Sequence, residues 1–411
     1  MSNLLFAIDH IFQASPERDV YTTGGKFPYS AWTSYLEHFD TMTVFSRGRR
    51  LQGAMEAAHL SRASGPRVEF RLMHAQRGLS RAASLFQPNE SLKYAVKNAD
   101  AVIARLPSEY GLAAIEYAKA AGKPYLVELV ACPWDALWHH GGLIAKAYAP
   151  VLAARTRRAL KDAPLARYVT AKFLQERYPT AGHATTASNV ILNSASSLNI
   201  KQRALRFEVL RAGNPMRPLT IGTIGALHTR LKGVQTAIAT LADVRDALPP
   251  FRYRVLGEGD PSALVKLAKR HGVADCVHFD GVLPAGEAVA GWLDDIDIYL
   301  QPSFQEGLPR GLIEALSRGC LALGSTAGGI PELLPRNRLH RPGHVAGLRS
   351  GLQALWTMVE QSQSESVYEA ARNIDKASEY SPNIIMARRN ASVAALKNFV
   401  PILEPRAFAH A

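Results

Sequence analysis

Leu300-Gln301-Pro302-Ser303-Phe304-Gln305-Glu306-Gly307-Leu308-Pro309-Arg310-Gly311-Leu312-Ile313-Glu314-Ala315 reads as the end of a strand, a turn and the start of a helix. The run Ile296-Asp297-Ile298-Tyr299-Leu300 leading into it has the length and β-branched content of a buried strand, Pro302-Ser303 ends it, and Glu306-Gly307 marks a turn. Pro309 then suits the first turn of a helix, where a missing N–H is harmless. The backbone amides of Gly307 and Leu308 are therefore expected to be free, which makes an anion site outside the carboxyl end of a strand, where open α/β sheets take their ligands. Glu306 lies on the loop and Glu314 about a turn into the helix, so the two carboxylates can reach different ends of one extended ligand. Glu314 is suited to accept hydrogen bonds from a ribose diol and Glu306 from hydroxyls of a second group. The plain alternative is a helix cap at Glu306 and a solvated face at Glu314.

Outward from this stretch, short apolar runs alternate with helical patterns. Upstream lie Leu219-Thr220-Ile221-Gly222-Thr223-Ile224, Tyr253-Arg254-Val255-Leu256 and Val277-His278-Phe279. Further back come Thr43-Val44-Phe45, Val68-Glu69-Phe70-Arg71-Leu72, Ala101-Val102-Ile103-Ala104 and Tyr125 to Val130, with Glu109 to Ala121 a helix stopped by Gly122-Lys123-Pro124. That alternation predicts an α/β protein with two parallel sheets of similar size facing each other across a cleft. Ser, Asn and Pro accumulate over Asn193 to Pro218, so the expected division is a first domain over 1–200, a linker over 201–218, a second domain over 219–380, and a helix and tail over 381–411 that packs back on the first domain. The stretch from about His344 onward reads as helices, including Leu348 to Val359 and Ile384 to Phe399.

Composition narrows the function classes. A chain of 411 residues, 47% hydrophobic, can fill a core in each domain. Cys132, Cys276 and Cys320 are too few and scattered for a disulfide framework or a CxxC metal motif, which fits a reducing cytosol. No apolar run approaches the length of a membrane span. The net charge of +13, from 48 basic and 35 acidic side chains, makes a surface that attracts phosphates, polyanions or anionic lipid heads. RNA-recognition signatures, zinc-finger spacing and basic heptads are missing, so nucleic acid is not an expected partner.

Glu306 to Glu314, with Pro302-Ser303 before and Gly319 and Gly328-Gly329-Ile330-Pro331-Glu332-Leu333 after, resembles the E-x7-E region of retaining glycosyltransferases of the family 4 type, the glycosyl transferases group 1. The similarity extends through Gly225-Ala226-Leu227, Lys232-Gly233, Leu256-Gly257-Glu258-Gly259, Val277 to Gly281 and Asp297-Ile298. The resemblance implies the GT-B fold, in which two Rossmann-like domains face each other and the C-terminal one holds most of a nucleotide-sugar donor. It also implies transfer with retention, no metal and no cofactor beyond the UDP- or GDP-sugar substrate. Gly257 and Gly281 join Gly307, Leu308 and Glu314 as expected donor contacts. Lys232, beside Gly233 and after a strand and turn, is placed to neutralise a diphosphate, its alternative being an exposed helix-start lysine. Family members often carry an arginine where this chain has Ala226, and Arg230 is close enough in sequence to replace it.

The first domain resembles the family less sharply. Gly24-Gly25-Lys26 is a turn that similar enzymes set against the donor, and otherwise a plain surface turn. Cys132-Pro133-Trp134-Asp135-Ala136-Leu137-Trp138-His139-His140 follows a buried strand and combines aromatic faces with polar groups that suit sugar rings. Asp135 and His140 are the candidates to orient the acceptor hydroxyl or touch the donor sugar; the bland reading makes the tryptophans core and the histidines solvated. Tyr168-Val169-Thr170 and Phe173 to Pro179 form a strand-to-helix corner to which no function attaches. The helix expected over Leu143 to Leu160 mixes apolar residues with Lys146, Arg155, Arg157 and Arg158, the pattern of a peripheral contact with an anionic membrane or of a packed helix with a solvated basic side. The resulting expectation is a cytoplasmic retaining glycosyltransferase acting on a glycan or lipid-linked acceptor in bacterial surface-polysaccharide assembly, at the inner face of the cell membrane. Its rivals are a nucleotide-sugar 2-epimerase and a non-catalytic nucleotide- or glycan-binding relic of the fold.

Overall fold

Nine described strands build the first sheet: β1 (Asn3–Ala14), β2 (Val20–Thr22), β3 (Thr41–Arg50), β4 (Ser61–Arg62), β5 (Val68–His74), β6 (Ala101–Leu106), β7 (Tyr125–Leu129), β8 (Leu165–Tyr168) and β9 (His183–Thr186). They belong to a computed structural model that describes residues 1–22, 27–51, 60–74, 89–140, 142–190, 192, 198–213 and 217–400. The strands β5, β3, β1, β6, β7, β8 and β9 lie side by side and parallel, while β2 and β4 add a short antiparallel ribbon at the end of β1. The second sheet contains β10 (Leu219–Ile224), β11 (Phe251–Leu256), β12 (Val277–Gly281), β13 (Ile298–Gln301), β14 (Leu321–Ser325) and β15 (Leu339–His340). Its order is β12-β11-β10-β13-β14-β15, parallel throughout, so the direction of winding reverses between β10 and β13.

Helices fill the connections, as parallel pairing requires. In the first half these are α1 (Thr33–Leu36), α2 (Glu90–Lys97), α3 (Glu109–Ala120), α4 (Pro133–His140), α5 (Leu143–Lys161) and α6 (Phe173–Arg177). Then follow α7 (Leu198–Arg211), α8 (Val234–Asp243), α9 (Ser262–Arg270), α10 (Glu287–Asp294), α11 (Arg310–Ser317), α12 (Val345–Gln361), α13 (Gln363–Ser378) and α14 (Pro382–Asn398). Strands β6, β7, β10 and β14 are buried on both faces, which explains why they read as near-continuous apolar runs rather than alternating ones.

The stretch read as a linker is mostly helix. In α7, Arg203, Phe207 and Leu210 are buried at helical spacing, and Arg203 donates to the carbonyls of Arg318, at 2.8 Å, and Leu293, at 2.7 Å. A buried arginine in the middle of the stripe interrupts the apolar pattern, which is why sequence periodicity misses it. Residues 201–211 thus pack on the second sheet's helices, chiefly α13. At the far end, α14 crosses to the first domain. Val393 and Leu396 enter its core, Ser392 Oγ accepts from the buried Arg167 at 2.9 Å, and Asn390 donates to Glu37 at 2.9 Å. One continuous apolar cluster joins the domains, with Val169, Leu174 and Tyr178 on one side and Leu308, Ala327, Ile330 and Leu333 on the other.

Candidate functional site

The candidate site lies beyond the C-terminal ends of the second sheet's strands. After β10 the chain turns through Gly225 and returns to Lys232-Gly233 before α8. Gly233 has φ +72°, and a Cβ there would collide with the Pro302 carbonyl oxygen, so glycine alone lets this loop close on the one after β13. The Phe304 amide donates to the Leu231 carbonyl at 2.7 Å and ties the two loops together. The stem of Lys232 passes over Gly225, where an added Cβ would stand 2.6 Å from Lys232 Cγ.

These constraints bring Lys232 Nζ to 2.6 Å from Glu306 Oε1. The same oxygen accepts from Gln301 Nε2 at 2.9 Å and Ser303 Oγ at 2.8 Å. Glu306 is buried, yet Oε2 takes no hydrogen bond among the described residues, so it keeps its full accepting capacity. The Lys232 side chain is 30% exposed, which leaves its two other ammonium hydrogens for a ligand. Because β10 and β13 are neighbours where the strand order reverses, this pair stands at the topological switch point, the place where doubly wound sheets bind ligands.

Gly307 and Leu308 complete a cradle. Their amides donate to no backbone acceptor among the described residues, and Pro309 stands at the N-cap of α11 with φ −72°, one position ahead of the helix. The turn is braced from behind by the loop after β14. Gly328 has φ +59° and lies against the Glu306 carbonyl, where a side chain would collide, and the Gly329 amide donates to the Gly307 carbonyl at 2.7 Å. Glu314, on α11, lines a small pocket with Leu192, Gly286, Val289 and Ala290. Burial raises its carboxyl above the usual range, with Arg310 pulling the other way, and no described side chain hydrogen-bonds to it. Such a group gains by accepting hydrogen bonds from a ligand's hydroxyls. Gly257 sits against the Gly225 carbonyl, and its amide donates to the Gly281 carbonyl at 2.7 Å, so the loops after β10, β11 and β12 stack into one rim.

Arg230, Asp135, His140, Gly24 and Gly25 are the remaining sequence candidates. Arg230 is exposed and lines a pocket with His139, Leu231, Gln235 and Phe304, a group that contains neither Lys232 nor Glu306. Asp135 is committed to Arg177, 3.0 Å away, whose guanidinium also donates to Cys132 Sγ at 3.3 Å. His140 is the last residue of α4, and its side chain lies outside the described residues, as do Gly24 and Gly25. The neighbouring His139 ring stands 6.3 Å from that of Phe304, which brings α4 to the loop carrying Glu306. Sequence reasoning missed the roles of Gln301, Ser303 and Glu332. The first two lie within five residues of Glu306, and their polar character at the end of an apolar strand was the available signal. Glu332 reaches across to the first domain, a partner its sequence neighbours do not reveal.

Residues 218–357 match the family described as Glycosyl transferases group 1. Protein CapJ of Staphylococcus aureus is 29% identical over 375 residues, 90% of each chain. The putative colanic acid biosynthesis glycosyltransferase WcaL of Escherichia coli is 33% identical over 140 residues, which is 32% of this chain and 34% of that protein. Among solved structures, Anabaena Alr3699/HepE in complex with UDP aligns over 96% of this chain and 100% of its own, at 16% identity and a TM-score of 0.63. WaaG, a glycosyltransferase involved in lipopolysaccharide biosynthesis, aligns over 95% and 98% at 14% identity with a TM-score of 0.61. The fold is GT-B, two Rossmann-like domains with C-terminal helices.

Proposed function

We propose that the protein is a retaining, metal-independent glycosyltransferase that moves a sugar from a UDP- or GDP-sugar to a glycan or lipid-linked acceptor in bacterial surface-polysaccharide assembly, at the cytoplasmic face of the membrane. The observation that carries the reading is the Lys232–Glu306 contact at the switch point of the second sheet. The donor's diphosphate rests on the Gly307 and Leu308 amides and the Lys232 ammonium, its ribose on Glu314, and the hydroxyls of the transferred sugar on Glu306 Oε2. As the bond between the anomeric carbon and the phosphate oxygen lengthens, negative charge grows on that oxygen. Lys232 and the two amides are already aimed at it, so they stabilise the transition state more than the bound donor. No side chain is assigned as nucleophile: the departing phosphate takes the acceptor's proton on the same face, as the resemblance implies. The reading assigns no metal and no cofactor beyond the nucleotide-sugar substrate.

The acceptor and the setting draw support from α4 and α5. Among the described residues no helix is long and apolar enough to cross a membrane. Yet Leu143 and Ile144 are 86% and 75% exposed, and Trp134 and Trp138 stack at 5.5 Å on the surface with Lys146 Nζ 5.9 Å from the Trp138 ring. Apolar tips with cations beside them suit the interface of an anionic membrane. Of the basic side chains on α5, Arg155 is paired with Glu109 at 2.7 Å and Arg157 donates to the Arg177 carbonyl at 3.1 Å, while Lys146 and Arg158 are exposed. The similarity to WcaL, described as a putative colanic acid biosynthesis glycosyltransferase, supports this setting.

The test is transfer from radiolabelled nucleotide sugars by Lys232→Ala and Glu306→Ala. Loss of one transition-state donor lowers the rate by about 10²–10³. Transfer at the wild-type rate in either variant overturns the assignment.

A further inference from the structure

The loop after β14 faces two ways. On one side Gly328 and Gly329 hold the Glu306-Gly307 turn, as described. On the other, the Glu332 carboxylate crosses to the first domain and accepts three backbone hydrogen bonds at the start of α6: from Ala171 to Oε2 at 2.6 Å, and from Lys172 and Phe173 to Oε1 at 3.1 and 2.8 Å. The free amides of a helix start are strong donors to a carboxylate, and here the acceptor belongs to the opposite domain. Lys172 has no capping side chain of its own; Thr170 Oγ1 accepts from the Leu174 amide at 3.0 Å, and Glu332 takes the three amides that precede it. Ile330 and Leu333 are buried in the same apolar cluster as Val169 and Leu174, and Tyr380, where the chain passes from α13 to α14, is close enough to sense its charge.

We propose that Glu332 is a positioning residue that sets the first domain against the donor cradle. Within the loop, only Ile330 and Pro331 separate Glu332, whose side chain holds α6, from Gly329, whose amide holds Gly307. A shift of the first domain therefore acts on the turn that carries Glu306 and the two cradle amides. This rests on reading that turn as the donor cradle, and it adds that transfer, which needs both domains, depends on the clasp, whereas donor binding, which needs chiefly the second domain, does not.

Steady-state kinetics and small-angle scattering of the full chain test it, with rates expressed per folded molecule. Glu332→Ala removes all three bonds. We expect kcat to fall about tenfold with the donor KM unchanged, since a hydrogen bond to a charged group is worth about one such factor in rate. The radius of gyration of the unliganded chain should rise. Glu332→Gln keeps an oxygen able to serve Lys172 and Phe173, so it recovers most of kcat and the wild-type dimensions. A kcat of Glu332→Ala equal to wild type, an unchanged radius of gyration, or a loss of activity tracking only the folded fraction overturns the proposal. If the wild-type chain transfers no sugar from any nucleotide sugar, the functional reading falls instead, and scattering still judges the clasp.

Discussion

Each domain buries a glutamate at the end of a central strand, and the two are treated in opposite ways. Glu128, on β7, is bonded by Arg105 at 2.8 Å and Arg167 at 3.2 Å, and Arg167 is itself fully buried, donating to Ser392 on α14 and to Tyr35 on α1. Burial works to raise the Glu128 carboxyl, but Arg105, Arg167 and Arg389 outweigh it and hold it below the ordinary range. Glu306 has one partly exposed lysine, two neutral donors in Gln301 and Ser303, and an oxygen left over. The first is a closed network whose charges are consumed inside the protein; the second keeps accepting capacity and a cation turned to the cleft. The difference between a structural ion pair and a candidate site is thus residual valence, not the presence of a buried carboxylate.

Four substitutions break or sharpen that contrast. Removing Glu128 as Glu128→Ala leaves Arg105 and Arg167 buried with no counter-charge, which costs about 3–5 kcal/mol of stability in a denaturant titration. Because its folded pKa lies below the ordinary 4.5, the stabilisation Glu128 supplies is complete above that value and disappears as pH falls through the lower folded one. The gap between Glu128→Ala and wild type should therefore close in acid. Glu306→Ala is expected to do the reverse: a loss of about 10²–10³ in transfer with a smaller stability cost of about 1–3 kcal/mol, since Lys232 can turn to water and only the neutral donors Gln301 and Ser303 lose a buried acceptor. Equal destabilisation by the two variants would abolish the distinction drawn here.

A smaller effect is expected from Gly233→Ala, which asks an L-residue to hold φ +72° against the Pro302 carbonyl. About 1–3 kcal/mol of strain is expected, and because the loop carries Lys232, transfer should fall more than stability. Smallest is Glu314→Gln. The folded carboxyl is raised by burial, so holding it charged at neutral pH opposes folding, and this opposition sets in as pH rises through the ordinary carboxylate range. The amide should raise Tm at neutral pH and weaken UDP binding by calorimetry; tighter binding would remove Glu314 from the ribose.

The second domain is the more legible half because its chemistry follows strand ends in order. Gly225, Lys232, Gly257, Gly281, Glu306 and Glu314 each lie shortly after a run that reads as a strand, and parallel pairing places all strand ends on one edge. In the first domain the candidates Asp135 and His140 sit in a loop-and-helix segment whose facing no periodicity determines, and the structure commits Asp135 to Arg177. The linker reading failed at α7 for a related reason, since Arg203 is buried only because four carbonyl and sulfur acceptors from other elements surround it.

Local sequence by itself determined the α/β alternation, the two sheets, and the fact that a lysine and two glutamates follow particular strands, because apolar periodicity and turn residues act over a few positions. Only the tertiary structure decided that Lys232 meets Glu306, that Glu332 caps a helix of the other domain, and that Glu128 is spent on two arginines. Those are contacts between residues far apart in the chain, and they depend on strand order and domain placement, which no local pattern encodes.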